Sequence, residues 1–242
     1  KSRGGTKMIK FATIGTSKIT EHFLEAAALV PQLSFFAAYS RSAERAKEFA
    51  EKHGAARSFK SLSDLAACRE IDAVYIASPN VFHAEQCRIM LENGKHILCE
   101  KPIATSLSEY KKVYRLAREK GLIYIEAMMS ANVPWSAKVK AALGEIGNIA
   151  LARIDFCQRS SRYDSFIAGN PQNIFDMSLH AGTLNDLGIY CVYAAAELFG
   201  RPKGISATAS FFNNGADSAG GAVFDYGSFP AVLSYSKAGQ SA

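Results

Sequence analysis

Cysteine is scarce and poorly placed for crosslinking: the five thiols, Cys68, Cys87, Cys99, Cys157 and Cys191, form no C-x-x-C pair. That argues against a disulfide framework and fits free thiols in a reducing, cytoplasmic compartment. No apolar run reaches the eighteen or so residues of a membrane span, and no signal-peptide core stands near the start, so no membrane partner is expected. Low-complexity tracts, internal repeats and His/Cys/Asp clusters at metal-ligand spacing are also missing, so no metal is expected. Charge of one sign is in modest excess, 28 Lys and Arg against 22 Asp and Glu, with a sequence pI near 9.0. The basic residues are scattered among acids, as in Glu44-Arg45 and Arg118-Glu119-Lys120. That interleaving suits a small anionic ligand better than a nucleic acid, which is not expected as a partner.

What is present is the composition of a globular protein, 48% hydrophobic over 242 residues, enough to bury one large core or two small ones. Lys1 to Lys7 read as an appended leader rather than fold. Strand-like runs then alternate with helical patterns, the signature of βαβ units on a parallel sheet. The expected elements are strands at 9–14, 33–39, 55–59, 73–77, 96–99 and 122–127, and helices at 21–30, 42–52, 61–68, 83–92 and 106–120. Ser106 and Glu109 are spaced as a capping box. After about Ser130 the texture changes to a helix near 135–143, a long strand at 148–158, and strands at 205–212, 221–226 and 231–236. Asn213-Asn214-Gly215 and Gly227-Ser228 between the last three favour antiparallel hairpins. The fold class expected is an α/β Rossmann domain at 8–128 followed by an α+β domain at 129–242 with an open, mostly antiparallel sheet.

A dinucleotide pyrophosphate needs a tight strand-to-helix turn whose N–H groups face the anion. Gly15-Thr16-Ser17-Lys18-Ile19-Thr20 stands at that place, with one of the three glycines of the G-x-G-x-x-G pattern. Ser17 is small and can offer a hydroxyl to phosphate, whereas Thr20 is bulky for a close-packing position. About twenty residues on, an acid would select NAD and an Arg would select NADP. The chain has Ser40-Arg41 there, with Arg45 one helical turn later, which points to NADP, with NAD possible as the alternative.

Ser78-Pro79-Asn80-Val81-Phe82-His83 followed by Gly94-Lys95-His96-Ile97-Leu98-Cys99-Glu100-Lys101-Pro102 resembles the signature of the glucose-fructose oxidoreductase, inositol dehydrogenase and MocA family (Gfo/Idh/MocA). Glu126-Ala127-Met128, Gly144-Glu145-Ile146-Gly147 and Asp186-Leu187-Gly188-Ile189-Tyr190 resemble it further, so the likeness spans the chain. It implies an N-terminal NAD(P) domain and a C-terminal sheet that carries substrate contacts and an oligomer interface, giving a homodimer or homotetramer. Ser78, Pro79, Asn80, His83, Glu100 and Lys101 are then cofactor-side residues, with Asn80 and His83 near the nicotinamide ribose.

The resemblance makes Lys101, Tyr190 and Asp186 the catalytic set. A lysine at the carboxyl edge of the sheet, beside the nicotinamide, can hydrogen-bond the reacting oxygen or relay the carbinol proton. The family bond before Pro102 can be cis. Tyr190 stands where many members carry His, as in the glucose-fructose oxidoreductase and dihydrodiol dehydrogenase branch, and its phenolate would need a cation such as Lys101. Asp186, four residues earlier on the same helical face, orients substrate or tunes Lys101, or else caps a helix start. His180 is placed near the substrate pocket and Arg162-Tyr163 in the cleft or on the surface. Departures are the single-glycine loop, Ala131 in place of a family Arg, and a chain that stops near Ala242 sooner than relatives do. An open sheet that ends there would expose an unpaired edge, so the chain is expected to be incomplete. The expected function is hydride transfer between NADP and a sugar, polyol or related cyclic alcohol; the alternative is a non-catalytic NADPH-binding sensor.

Overall fold

The computed structural model describes residues 8–131 and 133–239; residues 1–7 and 240–242, on which expectations were placed, lie outside the described residues. The chain divides into two compact units, Lys1–Ala127 and Met128–Ala242. The first runs β1 (Ile9–Ile14), α1 (Lys18–Ala27), β2 (Leu33–Tyr39), α2 (Ala43–Lys52), β3 (Arg57–Phe59), α3 (Leu62–Ala67), β4 (Ala73–Ile76), α4 (His83–Glu92), β5 (His96–Cys99), α5 (Leu107–Glu119) and β6 (Tyr124–Glu126). Its six strands are all parallel in the order β3-β2-β1-β4-β5-β6. That is the Rossmann order, and its reversal point between β1 and β4 opens a crevice at the strands' carboxyl ends.

Local chemistry explains most boundaries. Ser42, Ser61 and Ser106 accept the N–H of Arg45, Asp64 and Glu109 at 3.2 to 3.3 Å, capping α2, α3 and α5, each worth about 1 kcal/mol. Glu109 completes its side of the Ser106 cap by accepting the Ser106 hydroxyl at 3.0 Å. Helix α1 begins earlier than the pattern suggests because extended Ser17 serves as its N-cap. It ends at Ala27, ahead of Pro31, whose ring pushes the preceding residue out of the helical region. Strands β3 and β6 start late for one reason: Ala55 and Leu122 donate back to Ala50 and Ala117 at 2.8 and 2.9 Å, so helix closures consume them. Alternation along β1 sends Ala12 and Ile14 into a core with Leu65, Met90 and Ile97, and Phe11 into another with Leu24 and Phe49.

The second unit contains α6 (Pro134–Leu143), β7 (Ala152–Cys157), α7 (Tyr163–Ile167), α8 (Ile189–Phe199), β8 (Gly204–Phe211), β9 (Asp217–Asp225) and β10 (Pro230–Ser236). Its sheet runs β7-β10-β9-β8, antiparallel except for the β10/β7 pair. One expectation changes here. The long strand at 148–158 shortens to β7, because Ala152 to Cys157 pair one for one with Ala231 to Ser236 of β10. Strand β10 lies inside the sheet, between β7 and β9, and the edges are β7 and β8. Both hairpin turns form, with Gly215 and Gly227 at φ +84° and +86°. Helix α8 covers one face of the sheet, packing Cys191 and Ala195 against Phe224, Ala231 and Leu233. The cross-strand partners Val223 and Val232 lie exposed on strands whose alternate residues, Phe224, Ala231 and Leu233, face the helix.

Candidate active site

The loop after β1 is built around Gly15. Its φ is +113°, and a Cβ there would stand 2.6 Å from the Ala77 carbonyl oxygen, so only glycine lets β1 pass β4 this closely. Beyond it, the N–H groups of residues 16–19 find no acceptor among the described residues, the situation of a helix N-terminus awaiting an anion. Ser17 does not spend its hydroxyl on capping α1. Thr20 is fully buried, and its hydroxyl oxygen has no hydrogen-bond partner among the described residues. A threonine therefore packs at the third glycine position without blocking the loop's outer surface.

At the end of β2 the two arginines separate. Arg41 is exposed and its guanidinium lies 5.6 Å from the Phe82 ring centroid. Arg45 instead lines a cleft of about 310 Å³ with Thr16, Glu21, Glu48, Phe49 and Lys52. In that cleft Lys52 is compensated by Glu21 at 2.6 Å, and the Lys52 ammonium holds the Glu21 carboxyl below the usual range. Ser40 is turned to the backbone, its hydroxyl accepting from the Ser42 N–H at 3.3 Å. With free amides at residues 16–19, two guanidinium groups and no carboxylate at residues 40–42, the donor set fits an NADP pyrophosphate and 2′-phosphate.

The loops after β4 and β5 are tied together by His83. It is fully buried, with Nδ1 2.8 Å from the Pro102 carbonyl oxygen and Nε2 2.7 Å from that of Ser78. This corrects the expectation of a ribose contact: both ring nitrogens are spent on backbone, and no surface of the ring is left for a ligand. Ser78 donates its hydroxyl to Gln86 at 2.6 Å, and Asn80 begins a short 3-10 turn behind Pro79. Lys101 is half-buried and the Lys101-Pro102 bond is cis. The Glu100 carboxylate accepts the Tyr75 hydroxyl at 2.6 Å. Glu126 accepts the Ile103 N–H at 2.8 Å. Burial pushes the Glu126 carboxyl up and Glu100 adds to it, against the pull of His83 and Lys101.

In the second unit, Leu184–Gly188 forms a π-helical turn that runs into α8. Such turns recur at functional sites. Asp217 closes its start, accepting the N–H of Thr183 and Leu184 at 2.8 and 2.6 Å. Asp186 is thus not the cap; its carboxylate sits 2.6 Å from the Lys237 ammonium. Gly188 lies flush on Tyr235, where a Cβ would meet the ring at 2.9 Å. Tyr190 is half-buried, edge-on to Phe156 with ring centroids 5.6 Å apart. His180 is exposed with a left-handed φ of +51°, Arg162 is exposed, and Tyr163 packs on Phe212 beneath the Arg159 guanidinium. Sequence reasoning missed Asp217 and Lys237, because a lone acid in a turn and a lone lysine after a strand carry no motif.

Among the described residues no helix is long and apolar enough to cross a membrane, and all five cysteines are free. Comparison with known proteins follows the same two-part division. Residues 9–128 match the family described as an oxidoreductase family with an NAD-binding Rossmann fold, and residues 136–240 match the GFO/IDH/MocA C-terminal domain. The scyllo-inositol 2-dehydrogenase (NADP(+)) IolU of Bacillus subtilis is 44% identical over 230 residues, 95% of this chain and 70% of that enzyme. A trans-1,2-dihydrobenzene-1,2-diol dehydrogenase of Xenopus tropicalis is 28% identical, over 93% of this chain and 68% of the relative. Among solved structures, the 3-ketoreductase KijD10 of Actinomadura kijaniata with NADP and TDP-benzene superposes with a TM-score of 0.84 at 26% identity, covering 97% of this chain and 72% of that one. The Rossmann sheet, the Glu-Lys-Pro loop, both family matches and the 44% identical relative agree: the chain belongs to the GFO/IDH/MocA family of NAD(P)-dependent oxidoreductases.

Proposed function

We propose that the chain is an NADP-preferring dehydrogenase of a sugar, polyol or related cyclic alcohol. The observation that carries the cofactor half is the pairing of unengaged amides at residues 16–19 with Arg41 and Arg45 beyond the end of β2, with no carboxylate among residues 40–42. The substrate half rests on the polyol and diol chemistry of the two relatives' names. When bound, NADP would supply the acceptor for the carbinol hydride. The chain must then handle the hydroxyl proton, and Lys101 and Tyr190 are assigned to it. Asp186 accepts a substrate hydroxyl and so orients the reacting carbon. Gly15 to Ile19 hold the pyrophosphate, Ser40, Arg41 and Arg45 the ribose phosphate, and Ser78, Pro79, Asn80 and Glu100 border the nicotinamide half.

The same reading makes the molecule a homo-oligomer through its C-terminal sheet, supported by the exposed Val223 and Val232, and cytoplasmic, supported by its free thiols. Turnover with NADP over a panel of polyols and sugars tests it, with Lys101→Met and Tyr190→Phe each expected to lower kcat by about 10²-fold or more. Full activity in both variants refutes the proton roles. A sensor that binds without turnover is the reading favoured by the lone glycine of the loop; tight NADPH binding with no turnover on the whole panel would support it.

A further inference from the structure

We infer that Lys237 is a positioning residue for the substrate, acting through Asp186; this rests on the role just proposed for that carboxylate. Lys237 directly follows β10 and is only 2% exposed, and its N–H is anchored on the Ser218 carbonyl of β9 at 3.0 Å. Its ammonium lies 2.6 Å from Asp186 Oδ2 and 5.4 Å from the centroid of the fully buried Phe175 ring. A buried ammonium has few places to go, because leaving its counter-ion would strand a charge in an apolar setting. Asp186, in contrast, keeps 42% of its side chain exposed. One side of the pair is therefore rigid and dry, and the other is presented at the surface.

The peptide segment that carries Asp186 is pinned from the same sheet. Asp217, the first residue of β9, holds the two N–H groups that open the π-helical turn, and Lys237 holds the carboxylate two residues into it. The ends of two neighbouring strands thus set both the position of the turn and the orientation of its acid. A carboxylate fixed this way can accept a substrate hydroxyl without first losing rotamer freedom, which is where preorganised sites gain affinity. The effect belongs to alcohol binding, since neither residue lies in the nucleotide-binding unit.

The experiment uses the full chain with NADP and whichever polyol it turns over best. Lys237→Met is expected to raise the KM for the alcohol about tenfold, the worth of a weakened charge-assisted hydrogen bond, while the Kd for NADP stays within about twofold. Lys237→Arg, which keeps the charge in a different shape, is expected to raise KM less, about threefold, and it carries the test if the methionine variant does not fold. In a double-mutant cycle, Lys237→Met adds nothing to the KM of Asp186→Asn if it acts through that carboxylate. Unchanged KM in folded Lys237→Met and Lys237→Arg, or losses that multiply in the cycle, overturn the inference and leave the functional reading intact. Absence of turnover by the unaltered chain on the whole panel overturns the functional reading itself, and this role with it.

Discussion

Replacing His83 by leucine roughly preserves the volume of a fully buried side chain and removes the ring that joins the β4 and β5 loops, with one nitrogen against each loop's carbonyl. A neutral imidazole carries one N–H and donates to one of the Ser78 and Pro102 carbonyls at a time, and losing that donor inside the protein costs about 1 to 3 kcal/mol. The greater apolarity of leucine returns about 1 kcal/mol, so the net loss is about 0 to 2 kcal/mol. At about 2 to 4 °C per kcal/mol for a chain of this size, Tm falls by about 8 °C at most. The functional consequence is sharper than the thermal one. Pro102 follows Lys101 directly, and a displacement of about 1 Å in a reacting group costs about 10²-fold in rate. A thermal scan and steady-state kinetics with NADP therefore show a lowered Tm and a kcat reduced more than the affinity for NADP. If His83→Leu melts within about 2 °C of the parent and keeps its kcat, the carbonyls have found other donors and the clamp does not position Lys101.

Gly15→Ala puts a Cβ 2.6 Å from the Ala77 oxygen at a φ of +113°; strain of about 1 to 3 kcal/mol lowers Tm and displaces the amides of residues 16–19, so NADP binding by fluorescence titration weakens at least tenfold, and binding at parental strength refutes the loop. Arg41→Ala and Arg45→Ala each weaken NADP binding by about tenfold and NAD binding by less than about twofold, and equal losses for the two nucleotides refute the 2′-phosphate role. Burial holds the Glu126 carboxyl above its ordinary value of 4.5, so the folded chain binds that proton more tightly than the unfolded chain. Its contribution to stability is complete below pH 4.5 and is lost as pH rises through the raised value. Glu126→Gln keeps an oxygen for the Ile103 N–H and is expected to be more stable than the parent at pH 7, with the advantage gone in acid; a parent that gains stability relative to the variant between pH 5 and 7 refutes the sign.

Features that depend on residues within about four positions of one another are legible in the amino-acid sequence alone. The serine caps at 42, 61 and 106, the glycines after α2 and α5, the hairpin turns and the apolar strands all act through local backbone geometry, and β1, β2, α4 and β5 match their expected bounds to the residue. The Glu100-Lys101-Pro102 motif and the Asp186 to Tyr190 spacing are legible for a different reason, since chemistry restricts which side chains can serve there. Even the late starts of β3 and β6 have a local cause, because Ala55 and Leu122 are claimed by helix closures. Other features needed the folded chain. His83 reads equally well as a ribose contact until the Ser78 and Pro102 carbonyls close on its two nitrogens. Arg41 and Arg45 look like one cluster until Phe82 takes one guanidinium and the Thr16 cleft the other. Nothing in the last strand tells which strands flank it, and β7 pairs parallel beside it. Lys237 carries no sign of its partnership with Asp186, which only the burial of its ammonium creates. Periodicity and capping are properties of a short stretch and determine which elements form; pairing between distant strands, and the desolvation that makes one charge seek another, are properties of the assembled unit and decide what those elements hold in place.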